Sequence, residues 1–227
     1  MIHNVELELC GKKLLIETGK IALQANGAVT VRMGDTVLLA AVCAADKPTE
    51  GQDFFPLSVD YREKTYAAGK IPGGFFKREG RPSEKEILSC RIIDRPIRPL
   101  FPEGYFNEIQ CHNIVLSADQ QNDADILGII GTSAALAISD IPLVAVIAAV
   151  RVGRIDGKLI VNPTFSELGT SDMNLTVVGS KDNITMVEGG GREISESDML
   201  EALSFGHEYI KLIVAKIVEL VNLTGKP

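Results

Sequence analysis

Residues 70–101 read KIPGGFFKREGRPSEKEILSCRIIDRPIRPLF, and the way this stretch divides decides how the chain is assembled. Its first half is loop. Gly73, Gly74 and Gly80 with Pro72 and Pro82 break every regular pattern, so the irregular segment runs from Glu63 to Pro82. Loops that long inside a compact domain usually carry function. Its second half is helix. Ser83 followed by Glu86 is a capping-box pair, which starts a helix at Ser83 with Ile87, Leu88, Cys90 and Ile92 or Ile93 on its buried side. Arg91, Arg95 and Arg98 then fall at i, i+4 and i+7 on one face, although Pro96 must kink or end the helix and is placed to rotate Arg98 away.

Strands precede this unit. The segments VELELC (5–10), KKLLIET (12–18) and AVTVRMGDTVLLAAVCAA (28–45) alternate with period two, and Met33-Gly34-Asp35 breaks the last of them like a hairpin turn. FFPLSVDY (54–61) adds a strand ending near Tyr61, and NEIQCHNIVLSA (107–118) another. Residues 123–138, DADILGIIGTSAALAI, are apolar almost all round, the pattern of a buried helix. Asn122 or Asp123 is placed to cap it, and Gly128, Gly131 and Ala135 let it approach a sheet closely. Four more strands are predicted at 143–152, 158–162, 173–179 and 183–188, the last two joined through Lys181-Asp182-Asn183. An amphipathic helix from Ser195 to Asn222 follows, with Met199, Leu200, Leu203, Ile210, Ile213, Val214, Ile217, Leu220 and Val221 on one side. The expectation is one α+β domain with mixed sheets over residues 1–222, and the start of a linker at 223–227.

Composition is globular, 45% hydrophobic and 23% charged over 227 residues. Cys10, Cys43, Cys90 and Cys111 form no C-x-x-C pair and read as reduced core thiols of a cytosolic protein. No signal peptide, transit sequence or membrane span is recognisable. The net charge of −7 argues against a polyanion partner until its distribution is read. Residues 75–98 hold Lys77, Arg78, Arg81, Lys85, Arg91, Arg95 and Arg98 against Glu79, Glu84, Glu86 and Asp94, a local charge of +3 on an otherwise acidic body. Such a body repels a polyanion everywhere except at the island.

Two readings compete for the island. A helix bearing arginines is often a solvated face paired with its own acids, here Asp94 and Glu84. Against this, Arg78 and Arg81 have few acids beside them, and guanidinium forks suit a phosphodiester backbone. Of Phe75 and Phe76, at least one is expected to anchor the loop on the core; a free ring stacks on an unpaired base, worth about 1–3 kcal/mol per base. Aromatics interleaved with arginine are the chemistry of single-stranded RNA binding.

Signals for catalysis are poor. G-x-S-x-G, Walker and H-E-x-x-H patterns are lacking, and His3, His112 and His207 are scattered. Gly189-Gly190-Gly191 is expected as a plain turn sooner than a phosphate cradle. Asp119, Asp123 and Asp125 have the chemistry for a hard cation, but helix capping explains two of them more simply.

The run FFPLSVDYREKTYAAGKIPGGFFKREGRPSEKEILSCRIIDRPIRPLFPEGY (54–105) closely resembles the first ribonuclease PH-like core domain of the bacterial polynucleotide phosphorylase (polyribonucleotide nucleotidyltransferase) family. The likeness extends through IIGTSAALAISDIP, RVGRIDGKLIVNPT and SFGHEYI. It implies a domain of a phosphorolytic 3′→5′ exoribonuclease of mRNA turnover that releases nucleoside diphosphates, and a chain truncated where an interdomain linker begins. Family subunits form a cytoplasmic homotrimeric ring, with Mg²⁺ and inorganic phosphate on a second core domain and degradosome partners such as ribonuclease E. The family's pore loop, Phe-Phe-Arg-Arg, is matched by Phe75, Phe76, Lys77 and Arg78; Lys77 keeps the charge and loses the guanidinium fork. By the same carry-over Arg81, Arg91, Arg95 and Arg98 line the RNA path.

Where the family's second core domain has a serine-rich phosphate turn, this chain has QNDAD (121–125), and Asn174 and Thr176 stand where that domain has a catalytic Asp-x-Lys. The resemblance therefore implies no catalytic and no metal-ligating residue here, and a domain that guides RNA. Two alternatives stay open. One is a catalytically silent scaffold subunit binding RNA or protein; the other is a self-sufficient ribonuclease with Asp119, Asp123 or Asp125 on the metal.

Overall fold

The computed structural model describes residues 1–226. An antiparallel meander opens the chain: β1 (His3–Leu9), β2 (Lys12–Thr18), β3 (Gly27–Met33) and β4 (Thr36–Ala44). The β3–β4 turn is the expected one, with Gly34 at φ +61° and Met33 paired with Thr36. After β5 (Leu57–Glu63), α1 (Glu84–Ile97) crosses over to β6 (Ile109–Ser117), which inserts between β4 and β5. β6 runs parallel to β5 and antiparallel to β4, so the six-stranded sheet is mixed.

The buried helix α2 (Ala124–Ala137) follows. A four-stranded antiparallel sheet, ordered β10-β9-β7-β8, is then built from β7 (Ala148–Ile155), β8 (Lys158–Val161), β9 (Met173–Gly179) and β10 (Ile184–Gly191). A short helix α3 (Phe165–Thr170), capped by the unforeseen box Thr164/Glu167, links β8 to β9. The chain closes with α4 (Glu196–Thr224), N-capped by Ser195 and packed on β1, β7 and β9. Leu223 and Thr224, expected in the linker, belong to this helix, and Pro227 lies outside the described residues. Leu200, expected on its buried side, is exposed, and so are Cys10 and Cys43, expected in the core, since they lie just past the end of β1 and on the outward side of β4. Among the described residues no helix is long and apolar enough to cross a membrane.

α2 holds the two sheets together. Every residue from Ala124 to Leu136 is buried, against β3 and β4 on one side and β7 on the other. Its glycines set the spacing. A Cβ on Gly131 would stand 2.9 Å from Ala40 Cβ and 3.2 Å from Val31 Cγ2, and one on Gly128 would stand 2.6 Å from Ile93 Cδ1 of α1.

Four local expectations are corrected. Residues 143–147 are not strand: β9 ends at Gly179, paired with Ala148, so the earlier residues have no neighbour to pair with, and Val144 N–H instead donates to Leu100 O at 2.8 Å. Gly189–Gly191 are not a turn but the end of β10, paired with Leu175, Asn174 and Met173. Glycine is required there, because a Cβ on Gly189 would lie 2.0 Å from Asn174 O. In α1, Ile87 and Leu88 are half exposed, while Glu86, Ser89, Ile93, Pro96 and Ile97 are buried. The reason is the capping box itself: Glu86 turns inward to accept from Ser83 N at 2.6 Å and from Glu63 N at 3.0 Å, which rotates the core face by one residue. Neither Asn122 nor Asp123 caps α2 through its side chain.

Gly131→Ala tests the close approach. Alanine gains about 1 kcal/mol of helix propensity, but a strand-borne Ala40 Cβ cannot move aside as a flexible side chain would, and overpacking costs about 1–3 kcal/mol. A net loss of about 1 kcal/mol in urea unfolding is expected; an unchanged midpoint would show that the sheet yields.

Candidate nucleic-acid interface

The loop between β5 and α1 presents its aromatics outward. Phe75 is 94% and Phe76 81% exposed, their rings edge to face with centroids 5.4 Å apart. Neither anchors on the core, contrary to the expectation for at least one of them. Gly74 at φ +79° and Lys77 at φ +50° bracket the pair in left-handed backbone, a conformation that strains a lysine and suits a glycine. The anchor is instead Glu79, whose carboxylate accepts from Thr65 N at 2.9 Å and Thr65 Oγ1 at 2.7 Å. Those bonds hold its pKa below the usual carboxylate value. Lys77, Arg78 and Arg81 are exposed and, among the described residues, make no ion pair.

The three arginines of α1 have separate fates. Arg91 is exposed and unpaired among the described residues. Arg95 is exposed but its Nη1 pairs with Glu188 Oε2 of β10. Arg98 is engaged on all sides: Nε and Nη2 grip Asp94 at 3.1 and 2.6 Å, while Nη1 and Nη2 donate to Phe55 O and Leu57 O at 3.3 and 3.1 Å. Pro96 does not stop α1, which ends at Ile97 and tightens into a 3₁₀ turn over Arg98–Leu100. That turn swings Arg98 back towards the start of β5, so it ties α1 to the sheet and is no part of a free cationic row. Arg91 and Arg95, with Leu88, Val187, Glu188 and Gly189, line a hollow of about 480 Å³.

Beside it lies a cleft of about 420 Å³ between α1 and β10, reaching Asp123, Asp125, Arg151, Asn174 and Thr176. Arg151 on β7 forms an ion pair with Asp125, stands 3.5 Å from Asp123 and donates to Asn174 Oδ1 at 3.2 Å. The Arg151 and Asp125 side chains are only 11% and 7% exposed. Burial raises the Asp125 carboxyl above its usual value, and the neighbouring guanidinium opposes the rise. Lys85 bridges Glu63 at 2.8 Å and Asp123 at 3.2 Å. Burial acts to lower its pKa, but the attraction of the two carboxylates prevails and raises it. Asp119 accepts from Gln121 N, Asn122 N and Thr36 Oγ1 at 2.8 to 2.9 Å.

Every carboxylate of the 119–125 segment thus already has cations or N–H and O–H donors of the protein on it. Among the described residues no three His, Cys, Asp or Glu side chains converge as a metal site. Phosphate fares no better, since Lys85 and Arg151 are neutralised by the acids that surround them. The residues present do not fit Mg²⁺ or phosphate. Arg151 was missed in the sequence; the signal was a lone charge inside the apolar strand AAVRVG, which demands a buried partner.

The family model described as "3' exoribonuclease family, domain 1" matches residues 11–142, and "3' exoribonuclease family, domain 2" matches 145–209. The chain belongs to the 3′ exoribonuclease family, with the ribonuclease PH-like α+β fold. Among curated relatives, the polyribonucleotide nucleotidyltransferase of Solibacter usitatus is 58% identical over all of this chain and 32% of its own length. That of Thermomicrobium roseum is 56% identical over all of this chain and 29% of its own. The chain therefore spans about a third of the length of these relatives. A solved structure of the Archaeoglobus fulgidus exosome with RNA bound to the active site superposes with a TM-score of 0.72 over 95% of this chain and 87% of that one, at 18% identity.

Burial would raise the Asp119 carboxyl, but its hydrogen bonds prevail and pull it down to about 2 from 3.8. A depressed carboxyl stabilises the fold above its unfolded pKa and loses that contribution as pH falls through its folded one. Asp119→Asn is expected to cost about 1–2 kcal/mol at pH 7, discounted for partial exposure. The difference from the parent should shrink between pH 4 and pH 2. A difference that stays constant in acid unfolding would remove the charge from the account.

Proposed function

We propose that this chain is the RNA-guiding core of a polyribonucleotide nucleotidyltransferase, and that the chemistry of the intact enzyme belongs to a second core domain. In that reaction an oxygen of inorganic phosphate attacks the phosphorus of the 3′-terminal phosphodiester. The bond to the penultimate 3′ oxygen breaks, that oxygen takes up a proton, and a nucleoside diphosphate leaves. Mg²⁺ and phosphate would be held on the second domain, in a cytoplasmic homotrimer open to degradosome partners such as ribonuclease E. Around a threefold axis the Phe75 rings of three copies would form a collar.

One observation carries the reading: two exposed phenylalanine rings stand beside Lys77, Arg78 and Arg81, cations without acidic partners. Rings stack on bases of any identity, and the cations hold the backbone. Arg91 extends the path about 12 Å beyond the α1 N-cap at 1.5 Å per residue. Arg95 contributes once a phosphate competes with Glu188. Arg98 acts on the position of α1 and not on RNA.

The test incubates the chain with poly(A), phosphate and Mg²⁺ while ADP is measured, and in parallel follows RNA binding against salt. Little or no ADP is expected; robust phosphorolysis would overturn the division of labour. Replacing Arg78, Arg81 and Arg91 together by Ala should reduce the log–log salt slope by about 2, at about 0.7 per single-strand phosphate. Phe75→Ala should weaken binding at unchanged slope. Arg98→Ala should lower the unfolding midpoint and leave the slope alone.

A further inference from the structure

Behind the cleft, between the N terminus of α2 and the second sheet, lies a small pocket of about 10 Å³, room for one water-sized sphere and not sealed from solvent. Met33, Ile126, Leu127 and Pro163 supply its apolar walls, and Asn122, Asp123, Arg151 and Asn162 its polar ones. Among the described residues five buried side-chain polar atoms lack a hydrogen bond, and four belong to these four residues: Asn122 Oδ1, Asp123 Oδ1, Arg151 Nε and Asn162 Nδ2. Unpaired buried polar atoms are rare and costly, and four gathered on one pocket call for a shared partner.

The structure assigns this pocket as the binding site of a single ordered water held by two donors and two acceptors. The assignment of oxygen and nitrogen in both amides is settled by their other bonds. Asn122 Nδ2 donates to Asp119 Oδ2 at 2.6 Å, so its oxygen is the free end. Asn162 Oδ1 accepts from Arg151 N at 2.8 Å, so its nitrogen is the free end. Arg151 Nε can only donate and Asp123 Oδ1, a carboxylate oxygen facing Lys85 and Arg151, accepts. Lys85 Nζ stands 3.2 Å from that oxygen and takes up one of its two lone pairs, leaving the other free. Two acceptors and two donors match the four-coordinate capacity of water, and the two N–H groups rule against a metal cation, which needs oxygens alone in such a site.

The water joins three parts of the fold. Asn122 and Asp123 lead into α2, Arg151 sits on β7, and Asn162 follows β8 in left-handed backbone at φ +49°. It also completes the fixing of Arg151, whose Nη groups already reach Asp125 and Asn174, so the cleft's central cation is held on both edges. Two measurements on the whole chain decide the matter. A crystal structure at about 1.5 Å should show one isolated density peak about 2.6–3.2 Å from all four atoms. In solution, water-to-protein Overhauser peaks of the sign given by long-lived water should reach the Arg151 Nε proton and the Asn162 side-chain amide, and be lost at the exposed amide of Gln24. An empty pocket, direct pairing of the four groups with one another, contacts near 2.0–2.4 Å typical of a cation, or lack of both Overhauser peaks would overturn the assignment.

Discussion

The fold depends on one constraint: a helix with no polar side must be covered on every side. α2 meets it by lying between the two sheets, with β3 and β4 on one flank and β7 on the other. Leu127, Ile129 and Ile130 are fully buried, each worth about 1.5–3 kcal/mol of transfer from water. Closure at that distance requires Gly131 over Ala40 and Gly128 over Ile93. With both sheets fixed to one helix, its N-terminal end becomes the point where α1, β7, β9 and β10 converge. The cleft and the ordered-water pocket both lie there.

That convergence explains the division of charge. Polar groups brought to a covered place must find partners, and they find one another: Arg151 with Asp125 and Asn174, Lys85 with Glu63 and Asp123. The outer loop is under no such demand, so Lys77, Arg78 and Arg81 stay open to solvent. The electrostatic capacity for an outside polyanion therefore sits on the loop and the exposed side of α1, and the cleft is balanced within itself.

Much of this was legible in the chain. The Ser83–Glu86 box gave the start of α1 because capping is local chemistry, and the unbroken apolar run gave α2 because no amphipathic helix looks like that. What escaped depended on partners distant in sequence. Glu86 turned the core face of α1 because Glu63 N was there to donate to it. Arg98 left the expected row of free arginines because two carbonyls near the start of β5 waited for it, and Arg95 acquired Glu188 from a strand 93 residues away. Gly189–Gly191 looked like a turn, since glycine marks turns and close backbone approach alike, and only the neighbour at Asn174 decides between them. Lys77, where the resemblance implies an arginine, sits in a strained left-handed position, and nothing in the structure explains a lysine there.

Photo-crosslinking tests the central claim most directly. A single-stranded RNA carrying 4-thiouridine throughout is bound to the chain, irradiated and mapped by peptide mass spectrometry. Crosslinks concentrated on residues 70–95, with Phe75 and Phe76 foremost, are the predicted result. Crosslinks centred on the cleft around Arg151 and Asn174, or on the outer face of α4, would contradict it.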